Sequence, residues 1–97
     1  MKKKMIIIKE AKEKQFTYDL KDLLNRAKEM YKKQRQQKMH NYSEEDALPQ
    51  NLEAIIKSDV RKQFGYSISR DPPYKIVKPI INDIFKQLRL DPKMLGY

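Results

Sequence analysis

The chain has 97 residues, a formal net charge of +9 and no cysteine. Its length is that of one small domain, residues 1–97, and the missing cysteine excludes disulfides, thiolate metal sites and cysteine nucleophiles. No apolar run approaches the about 18 residues of a membrane span, and the run at residues 5–8 is shorter than that of a signal peptide. We therefore expect a cytoplasmic protein with no membrane partner.

The positive charge is concentrated in the N-terminal part of the chain. Residues 1–40 contain 13 Lys and Arg against 5 Asp and Glu, whereas residues 41–97 contain 9 against 8. This asymmetry is typical of proteins that bind a polyanion, either nucleic acid or an anionic membrane surface. A purely solubilising surface has the same composition, so the asymmetry alone does not decide the function.

The N-terminal residues predict one short strand followed by the first helix. Residues 5–8 are apolar and mostly β-branched, which indicates a strand, and residues 16–18 are either a second strand or the lead-in to the helix. Thr17 or Asp19 is suited to cap this helix. Its apolar positions recur at three- and four-residue steps and are Leu20, Leu23, Leu24, Ala27, Met30 and Tyr31. A neighbouring face carries Lys21, Lys28, Lys32 and Arg35.

The segment at residues 32–38 keeps its positive charge after this apolar stripe has ended, so we expect the last turn or two of the helix to project from the body. It contains three glutamines and no acidic or apolar residue, and its cations are Lys32, Lys33, Arg35 and Lys38. Each Lys or Arg placed on a phosphate releases a counterion, and glutamine is able to hydrogen-bond phosphates or base edges. The segment therefore predicts a nucleic-acid contact, although a solvated helix end has the same pattern.

A second helix is predicted between Pro49 and Gly65. Pro49 suits a helix start, with Asp46 as a cap upstream, and Gly65 suits a left-handed helix end. The apolar stripe between them consists of Leu52, Ile55, Ile56, Val60 and Phe64.

Two structures remain open for the residues that follow. In one, a helix begins at Pro72 and is kinked at Pro79. In the other, residues 66–77 form a short hairpin and the third helix begins near Pro79. A proline costs about 3 kcal/mol in a helix interior and almost nothing in the first turn, which favours the hairpin.

A second basic segment surrounds this region. Its candidate contact residues are Arg61, Lys62, Tyr66, Ser67, Ser69, Arg70 and Lys75. Over about 17 residues the segment resembles the helix-turn-helix DNA-binding proteins, which implies that Gly65 ends one helix and that the residues after the turn contact the major groove. The prolines at 72 and 73 depart from that pattern. If a hairpin forms instead, it resembles the wing of winged-helix proteins, with Arg70 at its tip, and an ordinary connecting hairpin fits equally well.

The remaining residues do not predict an enzyme. His40 has no partner at metal-ligand spacing, and the two glycines, Gly65 and Gly96, cannot build a phosphate-binding loop. Ser67 and Ser69 lack the surroundings of a nucleophile. We therefore expect no catalytic residue, no metal and no cofactor.

Together these patterns predict a mainly α fold, a three-helix small domain with a short N-terminal strand and a short hairpin at residues 66–77. The predicted function is a non-catalytic nucleic-acid-binding protein, either a small DNA-binding regulator or a replication or recombination accessory factor, with DNA favoured over RNA. The alternative is a protein–protein interaction module, such as a small inhibitor or adaptor, with a homodimer copy or another protein as partner. A nucleic-acid binder is expected to place the end of the first helix and residues 61–75 on the same side of the fold.

Overall fold

The computed structural model describes residues 4–8, 14–36 and 43–97. The elements in chain order are strands β1 (Lys4–Ile8) and β2 (Lys14–Tyr18), helices α1 (Leu20–Gln36), α2 (Glu44–Phe64) and α3 (Tyr74–Gln87), and a short 3-10 helix (Pro92–Leu95). The strands pair as an antiparallel hairpin. The predicted mainly α, three-helix fold is confirmed, and residues 16–18 belong to a second strand.

One apolar core joins the hairpin to all three helices. Phe16 of β2 is fully buried and meets Phe64 of α2 edge to face, with ring centroids 6.4 Å apart. The contribution of α3 is the buried stripe Ile76, Val77, Ile80, Ile81, Ile84 and Phe85. Each such side chain contributes about 1.5–3 kcal/mol when buried, so this core is the main source of stability.

Helices α1 and α2 pack antiparallel. Going forward from the end of β2 along α1 and backward along α2, the hydrogen-bonded pairs are Thr17–Gln63, Arg26–Asp59 and Gln34–Asn51. The C-terminal end of α1 therefore lies beside the N-terminal half of α2, and the C-terminal end of α2 lies beside the hairpin.

Side chains fix where α1 and α2 begin. Asp19 caps α1 by accepting a hydrogen bond from the amide of Lys21 at 3.0 Å. Ser43 caps α2 by accepting one from the amide of Asp46 at 3.1 Å. The prediction that α2 begins at Pro49 is wrong, because the serine cap and an acidic first turn stabilise an earlier start. Pro49 lies buried inside the helix.

The hairpin predicted at residues 66–77 is not formed, because α3 already begins at Tyr74. Pro79 therefore lies inside α3. The cost of an internal proline, about 3 kcal/mol, favoured the hairpin at the level of the sequence. That cost is offset because the early start buries Ile76 and Val77, which contribute about 1.5–3 kcal/mol each.

Candidate nucleic-acid interface

The end of α1 presents exposed positive side chains. Lys32, Lys33 and Arg35 are all exposed in its last turns. The ammonium nitrogen of Lys32 lies 3.6 Å from a carboxylate oxygen of Glu29, and both side chains are about two thirds exposed, so this pair contributes about 0–1 kcal/mol. Lys33 and Arg35 form no ion pair with any residue that the structure describes. Lys38 lies outside the described residues. Three of the four predicted contacts are thus accessible to an external anion.

Two further lysines extend this face toward the start of α1. Lys21 and Lys28 are exposed, and at 100° per residue they project in nearly the same direction as Lys32 and Arg35. The four cations form a stripe about 21 Å long at 1.5 Å per residue. Because their spacing in the sequence places Lys21 and Lys28 on this helix face, both lysines belong to the candidate site.

The stripe is not uniformly positive. Lys28 lines a shallow groove together with Glu44 and Glu45 in the acidic first turn of α2. The two carboxylates lower the positive potential around Lys28. The end of α1, where Lys32 and Arg35 of the stripe are joined by Lys33 on another side of the helix, is therefore best suited to a polyanion.

Gln34 belongs to the helix interface and not to the contact surface. Its amide nitrogen donates to the Asn51 side-chain oxygen at 3.0 Å, and the Asn51 amide nitrogen donates back at 3.3 Å. Asn51 is only 4% exposed. The prediction that packing ends at Tyr31 and that the next turn projects is wrong at this position, because a polar pair extends the interface beyond the apolar stripe.

Arg61, predicted as a nucleic-acid contact, is held inside the fold. Its Nε donates to the carbonyl oxygen of Arg70 at 2.9 Å, and its guanidinium lies 3.1 Å from a carboxylate oxygen of Asp71. Lys57 lies 4.0 Å from Asp71 and 3.8 Å from Glu53. These contacts attach the connection between α2 and α3 to the side of α2. Arg61 therefore has a structural role in this arrangement.

The aromatic and hydroxyl residues of the second segment also contact their neighbours. Tyr66 is partly buried, and its ring centroid lies 6.3 Å from that of Phe64. The hydroxyls of Ser67 and Ser69 are exposed and hydrogen-bond each other at 2.9 Å. The exposed cations of this segment that form no ion pair within the described ranges are Lys62, Arg70 and Lys75.

The structure does not bring the two basic segments together. The end of α1 contacts Asn51, and Arg61 lies about 15 Å further along α2 at 1.5 Å per residue. The two segments occupy opposite ends of the antiparallel α1–α2 pair and do not form one continuous patch. The arrangement expected of a nucleic-acid binder, with both segments on the same side of the fold, is therefore not formed, and the end of α1 is the candidate contact surface by itself.

The groove between the start of α1 and the end of α2 has mixed charge. It has a volume of 710 Å³, and its charged lining residues are Asp19, Lys21, Asp22, Asp59 and Lys62. Asp59 is already bound by both terminal nitrogens of Arg26, at 2.7 and 2.8 Å. This bidentate pair raises the pKa of Arg26. The structurally described ranges contain no group of three or more His, Cys, Asp and Glu arranged to hold a metal ion.

Comparison with protein-family models, curated proteins and solved structures gives no match to this chain. The helix-turn-helix resemblance of the second segment therefore stays a prediction. The structure adds that the connection from α2 to α3 spans residues 65–73, which is longer than the about three- to four-residue turn of that motif. In the described part of the chain, no helix is long and apolar enough to cross a membrane.

Proposed function

We propose that this protein is a non-catalytic nucleic-acid-binding protein whose contact surface is the exposed basic side of α1. The observation that supports the proposal is the state of the charges at the end of this helix. Lys33 and Arg35 are exposed and unpaired among the described residues, and Lys32 has one weak, solvent-exposed pair. Arg61, by contrast, is paired with Asp71, and the exposed, unpaired cations Lys62, Arg70 and Lys75 lie toward the other end of the α1–α2 pair.

The proposed mechanism is neutralisation of phosphates by the exposed cations around the end of α1. Each contact releases condensed counterions, which supplies affinity without sequence preference and gives dissociation constants of about 10⁻⁴ to 10⁻⁶ M at physiological salt. An α-helix fits the major groove of B-form DNA, whereas the major groove of an RNA duplex is too narrow to admit side chains. Duplex DNA is therefore the favoured ligand, and the proposed setting is a cytoplasmic regulator or an accessory factor of replication or recombination.

The test is fluorescence anisotropy with labelled duplex DNA, single-stranded DNA and duplex RNA between 50 and 200 mM salt. For duplex DNA we expect the logarithm of the binding constant to fall with the logarithm of salt at a slope of about −3, since three or four phosphates are neutralised. Duplex DNA should bind more tightly than duplex RNA. Absence of binding at the lowest salt would overturn the proposal.

Two triple variants that change the net charge by the same amount identify the surface. The combination Lys32→Glu, Lys33→Glu and Arg35→Glu should weaken binding by more than roughly tenfold. The matched control Lys62→Glu, Arg70→Glu and Lys75→Glu should change the affinity by less than roughly threefold, since only the long-range field is altered. Equal losses in both variants would show that net charge, and not the end of α1, carries binding. Circular dichroism confirms that both variants are folded.

A further inference from the structure

The two strands of the hairpin differ in what their outer edges meet. The backbone amide of Thr17 in β2 donates to the Gln63 side-chain oxygen at 2.9 Å, and the Gln63 side-chain nitrogen donates to the Thr17 carbonyl oxygen at 2.7 Å. The Gln63 amide thus takes the place of a neighbouring strand. The outer edge of β2 is closed by α2.

This contact fixes which backbone groups of β1 point outward. Thr17 is opposite Met5 and uses its backbone groups on the side away from β1, so this pair is not hydrogen-bonded across the hairpin. Bonded and non-bonded pairs alternate in an antiparallel ladder, and Ile7 opposite Gln15 is therefore also non-bonded. The N–H and C=O groups of Met5 and Ile7 face the open edge of β1. They hydrogen-bond to no residue for which the structure gives a position.

The side chains of the same two residues are exposed. Successive residues of a strand face opposite sides, so Ile6 packs against the core while Met5 and Ile7 are each 56% exposed. Folded proteins usually protect a strand that has both an open edge and exposed apolar side chains, because such a strand templates pairing with another chain. Strand β1 therefore offers backbone and apolar contacts to an added strand.

We propose that the outer edge of β1 binds an extended, acidic segment of a partner protein by strand addition. Residues of the partner exchange backbone hydrogen bonds with Met5 and Ile7, and its apolar side chains pack on theirs. This site is separate from the cations at the end of α1. The hairpin joins the N-terminal end of α1, whereas Lys33 and Arg35 lie at the C-terminal end.

Charge decides between an acidic segment and a second copy of this chain. Residues 1–9 contain four lysines and no acidic residue, and those lysines are Lys2, Lys3, Lys4 and Lys9. A second copy would bring two such strands together and add the repulsion between two chains of net charge +9. Lysines on an edge strand also oppose self-pairing in other proteins. An acidic segment, by contrast, is attracted.

The probe is a labelled synthetic peptide of alternating valine and threonine with two aspartates at each end, compared with its lysine-flanked twin. We expect the aspartate peptide to bind at least roughly tenfold more tightly than the twin, because only the aspartates complement the positive charge of the sequence at residues 1–9. An aspartate peptide methylated on every backbone nitrogen should lose binding, since neither of its edges can then donate. Failure of the aspartate peptide to bind, or equal binding of the two twins, would overturn the proposal.

One variant of the protein removes a contact of the outer edge of β1 without disrupting the hairpin. Ile7→Pro removes an N–H that faces the open edge and leaves the ladder to β2 intact, so peptide affinity should fall about tenfold while the fold is retained. Its matched control is Ile6→Pro, which removes an N–H of a hydrogen-bonded pair and should open the hairpin. Normal peptide binding by a folded Ile7→Pro variant would contradict the proposal.

Amide hydrogen exchange gives a readout that needs no variant. In the free protein the amides of Met5 and Ile7 should exchange rapidly and that of Ile6 slowly, and the aspartate peptide should protect Met5 and Ile7. Protection of both amides in the free protein, together with a dimer in sedimentation, would assign this edge to a second copy and overturn the acidic partner.

The triple reversal at Lys32, Lys33 and Arg35 should still bind the peptide, and loss of binding in that variant would place the peptide on α1 instead.

Discussion

Two basic parts of this chain, residues 32–35 and residues 57–71, differ in their surroundings. At the end of α1, Lys33 and Arg35 are exposed with no acidic partner among the described residues. Along α2, Lys57 and Arg61 are partly buried and both face Asp71. The difference teaches that a cation is available to an external ligand only where the fold brings no acid to it, whatever the local density of positive charge.

The positions of the acidic residues explain this difference. Residues 30–43 contain no Asp or Glu, so the acid nearest in the sequence to the end of α1 is Glu29, which forms one exposed pair with Lys32. The second part includes Asp71, and one helical turn before Lys57 stands Glu53. Folding of the connection at residues 65–73 back toward α2 then brings Asp71 to Arg61.

The largest effect on stability is expected from a glutamine inside the basic segment of α1. Gln34→Ala leaves the buried Asn51 amide without its partner and should lower the free energy of unfolding by about 1–3 kcal/mol. Gln36→Ala, at an exposed position, should change it by less than about 0.5 kcal/mol. Urea unfolding measures both. Equal stability of the two variants would show that the amide pair does not hold α1 to α2.

The next effect contrasts the two arginines directly. Arg61→Ala removes a hydrogen bond to the Arg70 carbonyl and a partly exposed ion pair, so we expect a loss of about 1 kcal/mol in the free energy of unfolding. Arg35→Ala should lose less than about 0.5 kcal/mol. In duplex binding the order should be reversed, with the larger loss in Arg35→Ala. The same order in both measurements would remove the distinction between a structural and a free cation.

Besides burial, the acids Glu53 and Asp71 also affect the pKa of Tyr97. The ring of Tyr97 stacks on that of Tyr74, with ring centroids 5.4 Å apart. Burial, a hydrogen bond with Glu53 and the charge of Asp71 raise the pKa of Tyr97 above its ordinary value of 10.0. The unfolded chain therefore loses this proton first, and stability should be complete below pH 10.0 and fall as the pH rises above it.

Unfolding experiments across alkaline pH measure this loss. Tyr97→Phe should show a shallower decline of stability above pH 10.0 than the unchanged protein, because one ionising group has been removed. Part of the decline should persist, since burial also raises the pKa of Tyr18. An identical decline in both proteins would mean that Tyr97 titrates as in the unfolded chain.

The smallest effect is expected at the exposed pair between Lys32 and Glu29. Glu29→Gln should change the free energy of unfolding by less than about 0.5 kcal/mol, since both side chains are solvated. It frees Lys32, and duplex affinity at low salt should rise about twofold. Anisotropy titrations at two salt concentrations test this, and a lower affinity in the variant would contradict it.

Local patterns predicted the elements whose determinants lie within one helix. The stripe through Leu23 and Ala27 is buried as expected, and Gly65 ends α2 with a φ of 77°. The helix starts predicted at Pro49 and Pro79 were wrong, because the local cost of each proline is offset by distant burial or an earlier cap. A proline therefore marks a helix start only when no such compensation exists.

The residues of the candidate site, too, were predictable only where their surroundings are determined within one helix. The exposure of Lys33 and Arg35 follows from the end of the apolar stripe and the lack of nearby acids. The pairing of Gln34 with Asn51 and the attachment of Arg61 to the α2–α3 connection were not predictable, because each joins residues that only the fold brings together. Polar contacts between elements leave no periodic signal in a single sequence.

The central claim is that the exposed cations at the end of α1 carry the proposed nucleic-acid binding. The most direct test is to add a short DNA duplex to isotope-labelled protein at low salt and to measure which backbone amide NMR signals shift. The account predicts shifts concentrated at residues 28–36, with residues 61–75 nearly unchanged. Shifts concentrated at residues 61–75, or a spectrum that the duplex does not alter, would contradict it.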